Sequence, residues 1–149
     1  MVAFSTKGLD VYMENKVDHI GIAVHSIEKA LSFYIDVLKL DLLGFEEVTI
    51  QQVKVAFLHA GNTKIELLEP TSQDSPIAKF LAKKGEGIHH IAFGVKNIES
   101  RLQEIKELGL PLIDEKPRQG AADMEIAFIH PKAANNVLIE LCEKKRGER

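Results

Sequence analysis

The chain has 149 residues, 45% of them hydrophobic, enough to bury one core and no more than one ordinary domain. Its net charge of −3 makes no electrostatic case for nucleic acid or an anionic membrane surface, and no apolar run approaches a bilayer span. The opening MVAFSTKGLDVYMEN has the form of neither a signal nor a transit peptide, and the single cysteine, Cys142, excludes an intrachain disulfide, so a soluble cytoplasmic protein is expected.

Residues 1–15 lack periodicity and read as an N-terminal extension. The β-branched run Val17–Val24 predicts a strand on which Val17, His19, Gly21 and Ala23 share a face. Ser26 then caps a helix from Ile27 to about Leu38, striped by Ile27, Ala30, Leu31, Tyr34 and Leu38. Strands are expected near Leu42–Phe45, Val53–His59 and Lys64–Glu69, the last two forming a hairpin through Ala60-Gly61-Asn62. Pro70 ends the third of these, and a short helix starting at Pro76 belongs to the connection 71–87. A strand His89–Val95, a helix from Asn97 to Leu108 stopped by Gly109 and Pro111, and strands near Leu112–Asp114, Met124–His130 and Val137–Cys142 follow. The tail KKRGER, with 145–149 outside the fold, is a solvated charge run.

These two series of elements are one series written twice. His-Ile-Gly-Ile-Ala-Val-His-Ser-Ile-Glu from His19 matches His-Ile-Ala-Phe-Gly-Val-Lys-Asn-Ile-Glu from His90, 71 residues on. Identities fall at His19/His90, Ile20/Ile91, Val24/Val95, Ile27/Ile98 and Glu28/Glu99, while Gly21/Ala92 and Ala23/Gly94 stay small. A repeat of that length is a duplicated module, not a solenoid unit. The fold class is α+β: one domain over 16–144 made of two βαβββ modules, at about 16–70 and 87–144.

Four polar residues recur at matching places in otherwise apolar strands: His19 and His90, and Glu66 in KIELLEP with Glu140 in VLIELCE. Singly, a histidine on an apolar strand is more often packed than a ligand, and a glutamate more often faces water on a one-sided sheet. Four such accidents at equivalent places are a poorer account than one site built by both modules. Burying a lone carboxylate is costly, and a divalent cation between two imidazoles and two carboxylates relieves that cost. His89 has the parity opposite to His90, so one of that pair is expected in the core or on the back of the sheet. His25, His59 and His130 read as strand exits or turns, and Cys142 as a small packed thiol.

With VDHIGIAV, GNTKIELLEP, SPIAKFLAKKGEGIHHIAFGV and IHPKAANNVLIEL in hand, residues 16–144 resemble the vicinal-oxygen-chelate superfamily, and within it the methylmalonyl-CoA epimerases. The resemblance implies two βαβββ modules forming a cupped mixed sheet around a metal site. It places metal ligands at His19, His90 and Glu140, with Glu66 as the fourth where some members have glutamine, and Val55 where some carry a glutamate base. The reaction implied is C2 proton abstraction from methylmalonyl-CoA through a metal-stabilised enolate, with Glu66 and Glu140 as the two catalytic carboxylates. The cofactor implied is a divalent ion, Co, Mn, Ni or Zn, and the partners are the acyl-CoA substrate and a second copy in a homodimer. Lys116, Arg118 and Lys132 become candidates for the CoA phosphates, and Gly120-Ala121-Ala122 for a loop over the acyl group. A glyoxalase I-like lyase and a metal-free ligand-sequestering protein of the same fold are the alternatives.

Overall fold

A computed structural model describes residues 15–144; the extension, except Asn15, and the charged tail lie outside the described residues. Module one comprises β1 (Val17–Ala23), α1 (Ile27–Leu31), β2 (Asp41–Val48), β3 (Val53–His59) and β4 (Lys64–Pro70). The helix α2 (Pro76–Lys84) leads to module two, β5 (Gly87–Gly94), α3 (Ile98–Glu107), β6 (Arg118–Gln119), β7 (Met124–Ile129) and β8 (Ile139–Lys144). All eight strands form one mixed, curled sheet in the order β2-β3-β4-β1-β5-β8-β7-β6. The order reads the same from either end: the first strand of each module pairs in parallel with its own last strand, and β1 pairs antiparallel with β5 at the centre.

The duplication extends to details that hold each helix. Ser26 accepts from Lys29 N and Asn97 accepts from Ser100 N, so each helix has the expected side-chain cap. A carboxylate from the last strand of each module closes the same helix end: Glu69 accepts from Ile27 N at 2.8 Å, and Glu143 from Asn97 N and Ile98 N at 2.7 and 2.9 Å. Behind the sheet, α1 covers Val24, Ala56, Leu58 and Leu67, and α3 covers Val95, Ala127 and Leu141. Each module thus buries its own helix face, and the other face of the sheet both packs against Ile77 and Leu81 of α2, through Ala23, Val53, Val55 and Leu68, and lines a cavity.

Two expectations are corrected. The first helix keeps α geometry only to Leu31; Ser32–Val37 is wound as a π-helix, with Leu38 N donating to Phe33 O five residues back. Leu112–Asp114 is no strand: Leu112 makes one isolated bridge to Ile129, and the sheet edge is instead the two-residue β6 at Arg118–Gln119. An edge that short has no periodicity to read, because its pairing is set by the curl of the sheet.

Candidate active site

His19 and Glu66 come from β1 and β4, His90 and Glu140 from β5 and β8, and all four are buried, at 4 to 5% exposure. Glu66 lies beside Gly21 in the parallel ladder, and Glu140 beside Ala92, its equivalent. The four side chains meet at the base of a cavity of about 310 Å3. His19 Nε2 lies 3.1 Å from His90 Nε2, and the two oxygens of Glu140 lie 3.4 Å from His90 Nε2 and His19 Nε2.

Glycine at position 21 makes this convergence sterically feasible. A Cβ there would stand 2.3 Å from Cε1 of His90, so only glycine leaves room for that ring. Its cross-strand position is fixed by two β-bulges in the β1–β5 pair. Asp18 is the extra residue on β1 and His89 the extra residue on β5, again at matching places in the repeat. A bulge breaks the alternation of faces, so His89 lines the same cavity as His90, correcting the parity argument, and Asp18 lines it too. Each bulge residue touches the Nδ1 of the histidine that follows it: Asp18 Oδ2 to His19 at 2.9 Å, and His89 Nδ1 to His90 at 2.9 Å.

The neighbours give the two central imidazoles opposite character. Burial opposes charge on His19, but Asp18, Glu66 and Glu140 outweigh it and raise its pKa. His90 is held well below the usual imidazole value by burial and by its neighbours His19 and His89. Burial and a nearby Lys84 take His89 down to about 4. Burial acts to raise the pKa of Asp18, but its bond to His19 and the charge of Lys64 win and hold it low. Burial raises Glu66 against the pull of His19 and Lys64, and it pushes Glu140 up to about 8 despite His19.

These residues fit a divalent cation. Among the described residues, Glu140 Oε2 is a buried side-chain oxygen without a hydrogen-bond partner, which is costly unless something positive meets it. Ligand atoms of His19, His90 and Glu140 lie within 4.8 Å of one another, as three donors about 2 Å from one ion require. Asp18 takes His19 Nδ1, which leaves the Nε2 lone pair for an ion, the usual arrangement behind a ligating histidine. Glu66 stands beside this trio, its Oε2 3.3 Å from His19 Nδ1, on the far nitrogen of the ring. Cys142 also lies near Asp18 and His19, but burial raises its thiol and Sγ donates to Phe93 O, as a packed thiol does.

Of the three cations expected at the rim, Arg118 lines the cavity; its guanidinium bonds Asp114 at 3.1 Å and covers the Phe128 ring at 5.4 Å. Lys116 and Lys132 are exposed and outside the lining. The sequence reading missed Lys64, which lines the cavity and lies 3.7 Å from Asp18. Ala121 and Ala122 line the wall, as expected of a loop over a ligand, while Gly120 packs behind them against Ile126. Val55 is buried and lines the same cavity.

The profile of the Glyoxalase/Bleomycin resistance protein/Dioxygenase superfamily matches residues 18–128. The chain belongs to this superfamily. It is 37% identical over 131 residues to the ethylmalonyl-CoA/methylmalonyl-CoA epimerase of Cereibacter sphaeroides, covering 87% of this chain and 98% of that one. It is 53% identical over 131 residues to the protein YqjC of Bacillus subtilis, covering 88% and 94%. Among solved structures, a variant of Streptomyces coelicolor methylmalonyl-CoA epimerase in complex with 2-nitronate-propionyl-CoA superposes with a TM-score of 0.84 at 35% identity, covering 90% and 97%. Within the superfamily the chain is an enzyme of the epimerase family, and its curled eight-stranded sheet is the vicinal-oxygen-chelate fold. Among the described residues, no helix is long and apolar enough to cross a membrane.

Proposed function

We propose that the chain interconverts the two C2 epimers of methylmalonyl-CoA, using a divalent ion held by His19, His90 and Glu140. The observation that carries this reading is the cavity into which both modules turn a histidine and a carboxylate, all buried, with one carboxylate oxygen lacking a hydrogen bond. The relatives that act on this substrate class match the chain over most of their length.

The reacting hydrogen lies between a thioester carbonyl and a carboxylate. Breaking the C–H bond sends its electron pair towards the thioester oxygen, giving an enolate. When bound, the ion supplies Lewis-acid stabilisation of that developing charge. The rest falls to side chains. Glu66, beside the trio, takes the proton on one face; burial raises its pKa, so its carboxylate holds a proton more readily than a free one. Glu140, the carboxylate of the other module, is the candidate for returning a proton on the opposite face. Val55 leaves the neighbouring strand without a carboxylate, and Asp18 is held low by its bond to His19 and the charge of Lys64, which leaves Glu66 as the acid–base candidate of module one.

A cavity of about 310 Å3 suits the acyl end of the substrate and not the whole molecule. Lys64 and Arg118 line it and supply positive charge for the free carboxylate. The CoA tail then crosses the rim, where Arg118, Lys116 and Lys132 are the candidates for its phosphates. The test is proton NMR of each epimer separately, in deuterated water with metal-loaded protein. Inversion with deuterium washed into C2 is expected, and no lactoyl thioester should form from the glutathione–methylglyoxal adduct. Lactoyl thioester without epimerisation would assign the site to glyoxalase chemistry instead.

A further inference from the structure

The strands β2 and β6 are the opposite ends of the sheet, yet side chains tie the two ends together across the cavity mouth. Glu46 on β2 accepts a hydrogen bond from Ala122 N at 2.8 Å. Gln51, in the 3-10 turn after β2, donates from Nε2 to Gln119 O at 3.1 Å. Ala121 packs against the module-one cluster that contains Val48, Val53, Val55 and Leu68. The turn of module two is therefore seated on module one, 76 residues away in the chain at the Glu46 contact.

That turn is tight. Ala122 and Asp123 sit at φ of 55° and 58°, the left-handed region, where two successive non-glycine residues are disfavoured. Within module two, Gly120 N bonds Met124 O, Met124 N bonds Ala121 O and β6 pairs with β7, so module two closes the turn and the module-one contacts add to that hold. The lining shows what the seating achieves. Ile50 and Gln51 face the cavity from one side of the mouth, and Ala121, Ala122 and Met124 from the other. The small side chains of the turn sit over the space that the buried histidines and carboxylates floor.

We propose that Glu46 and Gln51 are positioning residues: they clasp the 119–123 turn to module one, so that Ala121 and Ala122 form a fixed wall for the acyl group. This rests on the epimerase reading for the identity of that group. The clasp contacts neither the ion site nor the reacting carbon, and of its two residues only Glu46 carries a charge, which adds to the influences that raise Glu66. Its loss weakens substrate binding, because the wall must then be ordered at the expense of binding, and leaves the proton-transfer groups in place.

The test pairs steady-state kinetics with hydrogen exchange on the metal-loaded protein. Glu46→Leu should raise KM for methylmalonyl-CoA roughly tenfold, the worth of one charge-assisted hydrogen bond. Amides of residues 119–124 should exchange roughly tenfold faster, with β4 and β8 unchanged. Glu46→Gln, whose neutral amide oxygen still accepts from Ala122 N, should restore most of both values, and Gln51→Ala, which removes no charge, should shift both in the same direction by less with kcat within about twofold. Unchanged turn exchange in Glu46→Leu overturns the clasp. Faster turn exchange with wild-type KM overturns the wall, and faster exchange spreading into β4 and β8 makes Glu46 a merely structural residue. A wild-type protein without turnover defeats the epimerase reading instead, and the exchange measurement still decides whether Glu46 and Gln51 hold the turn.

Discussion

At equivalent places in the central strands, module one carries Gly21 where module two carries Ala92, and the exchange is not symmetric. Gly21 faces the His90 ring so closely that any Cβ would enter it. Ala92, paired across the strands with His19, is fully buried and accommodates its methyl. The bulge residues diverge in the same way. Module one places Asp18 against His19, with Glu66 on the same ring nitrogen and Lys64 behind. Module two places His89 against His90, and aromatic rings pack on both: Phe80 on His89 and Phe128 on His90. Duplication gave two copies of one geometry, and single-residue differences then made one imidazole readily protonated and the other not. The site at the junction of the two modules is therefore not symmetric in its electrostatics.

The most severe way to break this comparison is to remove one of its two poles. His90→Ala should abolish stoichiometric metal binding and turnover while the protein still folds, because each module keeps its own helix-covered core. Metal analysis of the purified variant beside its circular dichroism checks both halves of the statement. Full metal content with near-normal turnover would remove the site assignment.

A smaller effect separates the carboxylates. Glu66→Gln should keep the ion, because His19, His90 and Glu140 remain within reach of one another. Inversion should fall by roughly the 10²-fold typical of losing a general base. Exchange of C2 hydrogen in one epimer, without inversion, should persist through Glu140. Wild-type inversion by metal-loaded Glu66→Gln would show that the module-one base lies elsewhere.

Much of this was legible beforehand because the chain contains its own control. Comparing His19 with His90, and Glu66 with Glu140, lifted four unremarkable polar residues out of background, and the βαβββ order followed from element spacing. What escaped notice shares one cause. The bulges at Asp18 and His89 exist only in the pairing of two strands distant in sequence, so a parity count on one strand misassigned His89. The β6 edge and the contacts of Glu46 and Gln51 likewise depend on how far the sheet curls. Lys64 lay in plain view beside the glutamate strand, but nothing local told its direction. The π-helical turn at Ser32–Val37 has no sequence signal that we recognise.

The glycine–alanine difference can itself be put to test. Gly21→Ala should lower metal affinity at least tenfold, in the range seen when a ligating histidine is displaced or its support lost, because the new methyl occupies the space of the His90 ring. Ala92→Gly should leave affinity within about twofold and cost roughly 0.5–1 kcal/mol of stability through added backbone freedom. Isothermal titration with Co²⁺ and thermal melts of both variants measure the two arms. Equal affinity losses in the two variants would mean that the junction is symmetric after all.

The smallest expected effect concerns pH. Without an ion, Glu140 has its pKa lifted from the ordinary 4.5 to about 8 by burial, so the folded state holds a proton that the unfolded state gives up. The sign follows from linkage: this contribution to stability is fully present below pH 4.5 and is lost as pH rises through about 8. Burial of His90 acts oppositely, its contribution being lost as pH falls below the ordinary 6.5, while His19 and Glu66, both raised, act in the same direction as Glu140, so the melting temperature alone mixes all four. Glu140→Gln isolates the carboxylate, since the amide cannot ionise. In chelator-treated protein, the melting temperature of Glu140→Gln relative to wild type should therefore climb by a few degrees between about pH 5 and pH 8, as roughly 1 kcal/mol or more does in a domain of this size. Added divalent ion should reverse the trend in wild type, because the carboxylate that is costly when bare then has its partner. The variant should respond to the ion far less. A constant offset between the two ion-free proteins across that range would mean that Glu140 is already ionised or already compensated in the fold. Its oxygen lacking a hydrogen bond would then no longer argue for a cation.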